Sequence, residues 1–191
     1  MKPGLFFAAA VALASVQAAA PAQAQDVETR IAGSRAVVKA FGEDLRAQLV
    51  AALKTDGPVA AIEVCNMSAP EIARDQARAT GWSVGRTSLK LRNPDNAPDA
   101  WESGVLESFE ARKATGESAK ALEHWAVVET DEGRVFRYMK AIPTGEPCLA
   151  CHGVDLKPAV AAKLDMLYPE DRARGFAVGD IRGAFTIEQP M

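Results

Sequence analysis

Apolar residues recur at helical spacing from Val27 to Leu53, at Ile31, Val38, Phe41, Leu45, Leu49 and Leu53. The pattern predicts a long amphipathic helix, stopped at Asp56-Gly57-Pro58. Its apolar stripe suits core packing better than dimerisation. A short helical piece, PVAAIEVC, follows and carries Cys65 near its end. Ser68-Ala69-Pro70-Glu71 then reads as a capping box, with Ser68 as N-cap and Pro70 in the first turn. That helix should run to Thr80 and stop at Gly81. Cys65 is therefore expected at a helix–helix junction, where backbone geometry can aim a side chain.

Beyond Gly81 the period changes. WSVGRTSLKLRN alternates and is rich in β-formers, which predicts a strand, and NPDNAPD reads as a loop. Asp99-Ala100-Trp101-Glu102 is a second capping box, opening a helix that ends near Gly116. HWAVVETDEGRVFRYMKAI predicts a β-hairpin turning at Asp131-Glu132-Gly133. KPAVAAKLDMLY suits a helix with Pro158 near its first position, and GDIRGAFTIEQ a last strand. The sum is an α+β fold: a small antiparallel sheet with surrounding helices and a long N-terminal helix. No internal repeat and no long linker divides residues 26–191, so one domain is expected there.

The first 25 residues stand apart. One cation, Lys2, precedes an apolar run from Leu5 to Val16 and an Ala22-Gln23-Ala24 end. That is the pattern of a cleaved signal peptide over residues 1–25. The run is shorter than the roughly 20 residues a membrane-spanning helix needs. No other stretch is apolar enough to cross a membrane, so an exported, periplasmic protein is expected. A formal charge of -3 argues against nucleic acid as a partner, which calls for a basic face.

Export sharpens the question posed by Pro147-Cys148-Leu149-Ala150-Cys151-His152-Gly153, which holds two of the chain's three cysteines and one of its two histidines. Cys-x-x-Cys-His reads as covalent attachment of one c-type haem. Two thiols three positions apart can add to the two vinyl groups on one porphyrin edge. The next histidine then falls under the iron. Cys148 and Cys151 would be the thioether anchors and His152 an axial ligand. The rivals are weaker. A redox dithiol wants a βαβ context that is missing here, and a Cys148–Cys151 disulfide leaves His152 unexplained. Zinc on Cys65, Cys148, Cys151 and His152 would need two sequence neighbours on one tetrahedral ion.

The second axial position has few candidates: His124, Met67, Met139, Met166, Met191, Cys65, or none. Met139 and Met166 suit core packing, and His124 a surface or capping role. A free thiol in an oxidising compartment is a liability that iron ligation removes. On that chemistry Cys65 leads Met67 and His124.

Four stretches, AIEVCNMSAPEIA, GWSVGRTSLKLRNPDNAPDAWE, YMKAIPTGEPCLACHG and GFAVGDIRGAF, resemble a family of small exported single-haem c-type cytochromes. The family was long described as a domain of unknown function and is also found as an extracytoplasmic sensor domain. The resemblance implies a PAS-like fold and a His/Cys axial pair, here His152 and Cys65. Arg92 and Asn93 would lie near the haem edge. Arg86, Lys90, Arg137 and Lys140 are candidates for the propionates, though a solvated strand face suits any single one of them better. A thiolate ligand favours ferric iron and a low potential, and a six-coordinate iron speaks against an enzyme. The expected function is periplasmic electron transfer with an unidentified redox partner protein. The alternative is a redox or gas sensor binding CO or NO on the reduced haem.

Overall fold

The computed structural model describes residues 20–131 and 133–191. Most of the expected signal peptide, residues 1–19, lies outside the described residues, as does Glu132 at the expected hairpin turn. The described residues start with helix α1 (Ala20–Thr55), longer at its N-terminal end than periodicity suggests. Helix α2 (Gly57–Glu63) runs into a π-helical turn, Val64–Ser68, and then into helix α3 (Ala69–Thr80), which ends at left-handed Gly81. Strand β1 (Ser83–Thr87), helix α4 (Ala100–Ala114), and strands β2 (Glu123–Thr130) and β3 (Gly133–Pro143) follow. Helix α5 (Leu149–His152), helix α6 (Pro158–Leu167) and strand β4 (Ile181–Pro190) complete the order.

The four strands form one antiparallel sheet in the order β1-β4-β3-β2. The last strand is thus central, pairing Ala184 with Thr87 on one side and with Ala141 on the other. Alternation along β3 serves both faces. Phe136 and Tyr138 pack with Ile187 against Ile31 and Val37 of α1. Met139 and Ala141 pack against Val105, Leu106 and Phe109 of α4. A third cluster joins Ile62 of α2 to Val160, Leu164 and Tyr168 around α6, with Cys151 against it. This is the expected α+β arrangement with a long N-terminal helix. Among the described residues no helix is long and apolar enough to cross a membrane.

Two local expectations are corrected. Ser68 does not cap α3: it has helical backbone angles and no side-chain capping bond. The helix is continuous through the π turn, so the Ala69 N–H already reaches the Val64 carbonyl and no free donor awaits a cap. The strand expected to reach Asn93 stops at Thr87. There the Ser88 hydroxyl accepts the Lys90 N–H at 3.2 Å and donates to the Arg182 carbonyl at 2.8 Å, turning the chain out of the ladder. The Asp99 capping box forms as expected, with reciprocal bonds between Asp99 and Glu102 of 2.8 and 3.0 Å.

Candidate functional site

The Cys-x-x-Cys-His segment leaves β3 through a 3-10 turn at Glu146–Cys148 and winds into the single turn of α5. The Cys148 N–H closes the turn on the Gly145 carbonyl at 3.0 Å. Cys148 and Cys151, three apart on this turn, share one side of it, and both are half-buried. Gly153 ends the turn by donating to the Leu149 carbonyl at 3.0 Å. A side chain is excluded there, since a Cβ would sit 2.7 Å from the Leu149 oxygen.

The chain returns over this turn after α6. Phe176 donates to the His152 carbonyl at 2.9 Å, and Gly175 to that of Gly153 at 3.1 Å. The Ala173 carbonyl lies 2.7 Å from His152 Nδ1. Nδ1 can carry either a proton or a lone pair. The carbonyl claims the proton, so Nε2 keeps the lone pair. Burial pushes the His152 pKa well below the usual histidine value, and the Arg182 and Arg92 charges add to the shift. The imidazole is therefore neutral at pH 7, in the tautomer a metal needs.

His152 faces a cleft whose walls include Cys65, Arg86, Arg92, Tyr168 and Arg182. Cys65 reaches it from the π turn, a local widening that recurs at functional sites. Burial raises the Cys65 thiol pKa, while Arg86, Arg92 and Arg182 pull it back down. Gly183, on the β4 wall, lets β1 come close: a Cβ there would lie 2.3 Å from the Thr87 oxygen.

Three guanidinium groups thus share one small space. Arg92 is paired with Asp171 at 3.1 Å. Among the described residues, Arg86 and Arg182 have no carboxylate partner. Arg86 lies over the Phe41 ring, 5.6 Å from its centre. Arg182 Nε sits 3.1 Å from His152 Nδ1 and 3.4 Å from Nε2, and its Nη1 donates to Ser88 Oγ at 3.1 Å. Burial, with the Arg92 and Arg86 charges adding to it, pushes the Arg182 pKa down to about 10. Burial also lowers the Arg86 pKa, opposed by Cys65. Half-buried cations without an acid are costly, and the arrangement calls for anions.

The structure brings Cys65 and His152 to one cleft, with Arg92 and Asn93 at its wall. It sends the other axial candidates elsewhere. His124 is exposed on β2, its ring 5.8 Å from that of Trp101. Met139 is core, while Met67 and Met166 are exposed. None of these lines the cleft. Tyr168 does, with Asn66 donating to its hydroxyl at 2.9 Å; no sequence signal singled it out. Among the propionate candidates only Arg86 reaches the cleft. Arg137 is held by Asp99 at 2.7 Å and lies over the Trp101 ring, and Lys140 stands 3.7 Å from Glu123. Arg182, not foreseen, takes a place beside Arg86. The three cysteines are free thiols. Among the described residues no group of three or more His, Cys, Asp or Glu side chains could hold a metal ion, so the Cys3His zinc set is not assembled.

The family model described as Tll0287-like matches residues 10–190. Among solved structures, the crystal structure of the cyanobacterial heme-protein Tll0287 is similar, with 27% sequence identity and a TM-score of 0.63. The likeness covers 87% of this chain and 96% of that one. No curated protein matches.

Proposed function

Given that the chain belongs to the Tll0287-like family, we propose that it is an exported c-type haem protein that carries electrons in the periplasm. The observation that carries this reading is the state of His152. Its Nδ1 proton is committed to Ala173, so Nε2 carries the lone pair, which Arg182 Nε and Arg92 Nη1 approach at 3.4 and 3.5 Å beside a cleft that also receives Cys65. The residues present fit a single haem. Cys148 and Cys151 stand on the same turn as His152 and supply the two thioether anchors. Arg86 and Arg182 offer two half-buried positive charges to the two propionates. The similar solved structure is that of a haem protein, and the sheet with its helices is read as PAS-like.

Bound there, the haem iron supplies one-electron chemistry between its ferric and ferrous states. The protein's part is to set ligand strength and charge. His152 would offer the iron a neutral imidazole. Cys65, from the same cleft, would offer a thiolate, whose formation burial opposes and the Arg86, Arg92 and Arg182 charges favour. A thiolate favours the ferric state and places the potential low, and filled axial positions leave no room for substrate at the metal. Attachment to Cys-x-x-Cys-His takes place outside the cytoplasm, in agreement with the export pattern of residues 1–25. The redox partner is an unidentified protein.

A second reading, a redox or gas sensor, is favoured by the element that carries Cys65. A single π turn between two helices is a place where release of the sulfur would shift α3. A redox titration followed by absorption spectra, repeated under CO, tests both readings. Electron transfer predicts a reversible one-electron wave, unchanged axial ligation and no response to CO. Loss of the thiolate signature on reduction, with CO binding, would replace it by the sensor reading. The absence of any reversible wave would overturn both.

A further inference from the structure

Arg92 lies 60 residues before His152 in the chain, yet its side chain is buried against the histidine turn. One nitrogen, Nη2, donates to the Cys151 carbonyl at 2.6 Å and to the Ala173 carbonyl at 3.1 Å. The first carbonyl belongs to the peptide that leads into His152. The second is the acceptor of the His152 ring proton. Asp171 locks the same guanidinium from behind. Its Oδ1 accepts from Arg92 Nε at 3.1 Å and from the Ala173 N–H at 2.9 Å, and its Oδ2 accepts from Arg92 Nη2 at 3.2 Å. Arg174 adds a further bond to Oδ2 at 2.8 Å. Only 1% of the Asp171 side chain is exposed, so little water competes with these bonds.

We propose that Arg92 is a positioning residue for His152: its Nη2 joins the backbone before the histidine to the carbonyl that orients the ring, its Nε and Nη2 fork holds Asp171, and together these bonds fix the imidazole's rotation. The inference rests on the proposed function, in which His152 is an axial ligand. A hydrogen-bonded partner behind a ligating histidine sets ring orientation and ligand basicity. Here the partner is a loop carbonyl, which could drift without a tether. Arg92 and Asp171 supply that tether, one through the Ala173 carbonyl and the other through its N–H. A lysine offers a point charge and cannot reproduce the fork.

The test uses the exported holoprotein labelled with 15N-histidine, whose two histidines are simple to assign. Exchange of the His152 ring proton with solvent and the ferric EPR line shape are compared per attached haem. Arg92→Gln is expected to speed exchange by about 10-fold or more, the scale on which outer-partner changes weaken metal sites. It should also split or broaden the low-spin EPR signal. Arg92→Lys should fail to restore either. Rescue by lysine would reduce Arg92 to a charge and overturn the proposal, as would exchange and EPR unchanged in Arg92→Gln. If that variant does not fold, Arg92→Met with Asp171→Leu replaces the buried pair by apolar groups, a change such sites often tolerate. It should show the same faster exchange, and wild-type exchange in this pair would also overturn the proposal. Failure of the haem reading is seen separately. A wild-type protein without covalent haem sinks that reading, while its ring-proton exchange still reports whether Arg92 holds Ala173 and His152 together.

Discussion

Replacing Cys148 and Cys151 together by alanine is expected to abolish covalent haem attachment completely. Acidified acetone should leave all the haem on the wild-type protein and none on the variant. The expectation follows from the layout of α5. Its turn is closed by backbone bonds, Cys148 N–H to the Gly145 carbonyl and Gly153 N–H to the Leu149 carbonyl, which the substitutions leave in place. Among the described residues, the one hydrogen bond to either sulfur is the 3.4 Å approach of the Gly145 N–H to Cys148 Sγ. The turn, and with it His152, should therefore survive, and far-ultraviolet circular dichroism should be unchanged. Haem still fixed to the double variant after extraction would show that these thiols are not the anchors.

Replacing Cys65 by alanine is the second large effect. The attached haem should remain, since its anchors lie on α5. The ferric absorption and EPR spectra should lose their thiolate character. The potential should rise by something on the order of 0.1 V, within the roughly 0.8 V span that axial ligands command. Two causes act in the same direction. A strong donor to ferric iron is lost, and a negative charge disappears from a cleft crowded by Arg86, Arg92 and Arg182. Little should happen to the fold, because Cys65 is half-buried at a cleft wall rather than in the core. An unchanged spectrum would hand the position to another residue, Tyr168 first, since it lines the same cleft.

The parts of this protein that were legible in the sequence are those decided by neighbours along the chain. Helix α1 showed through its apolar spacing, α4 through the Asp99–Glu102 capping box, and the β2–β3 hairpin through alternation around a turn. The Cys148–His152 turn was legible because its chemistry is local. Cys65 was legible as a candidate but not as a neighbour of His152, since their meeting depends on packing of α2 against α6. Long-range pairing hid the rest. The end of β1 is set by Ser88 bonding to Arg182, 94 residues away. Arg182 itself reads as an ordinary strand residue until β4 takes the centre of the sheet beside β1. The Arg92–Asp171 pair spans 79 residues, and the Ala173 oxygen that orients His152 is a backbone atom with no sequence signature. Ser68 misled for a related reason: a cap motif has no work to do where one helix flows into the next.

The central claim, a haem attached covalently to this chain, is tested most directly by the pyridine haemochrome spectrum of the purified, exported protein, read together with its metal content. The prediction is a c-type spectrum with one haem iron per chain. A colourless protein holding stoichiometric zinc would contradict it.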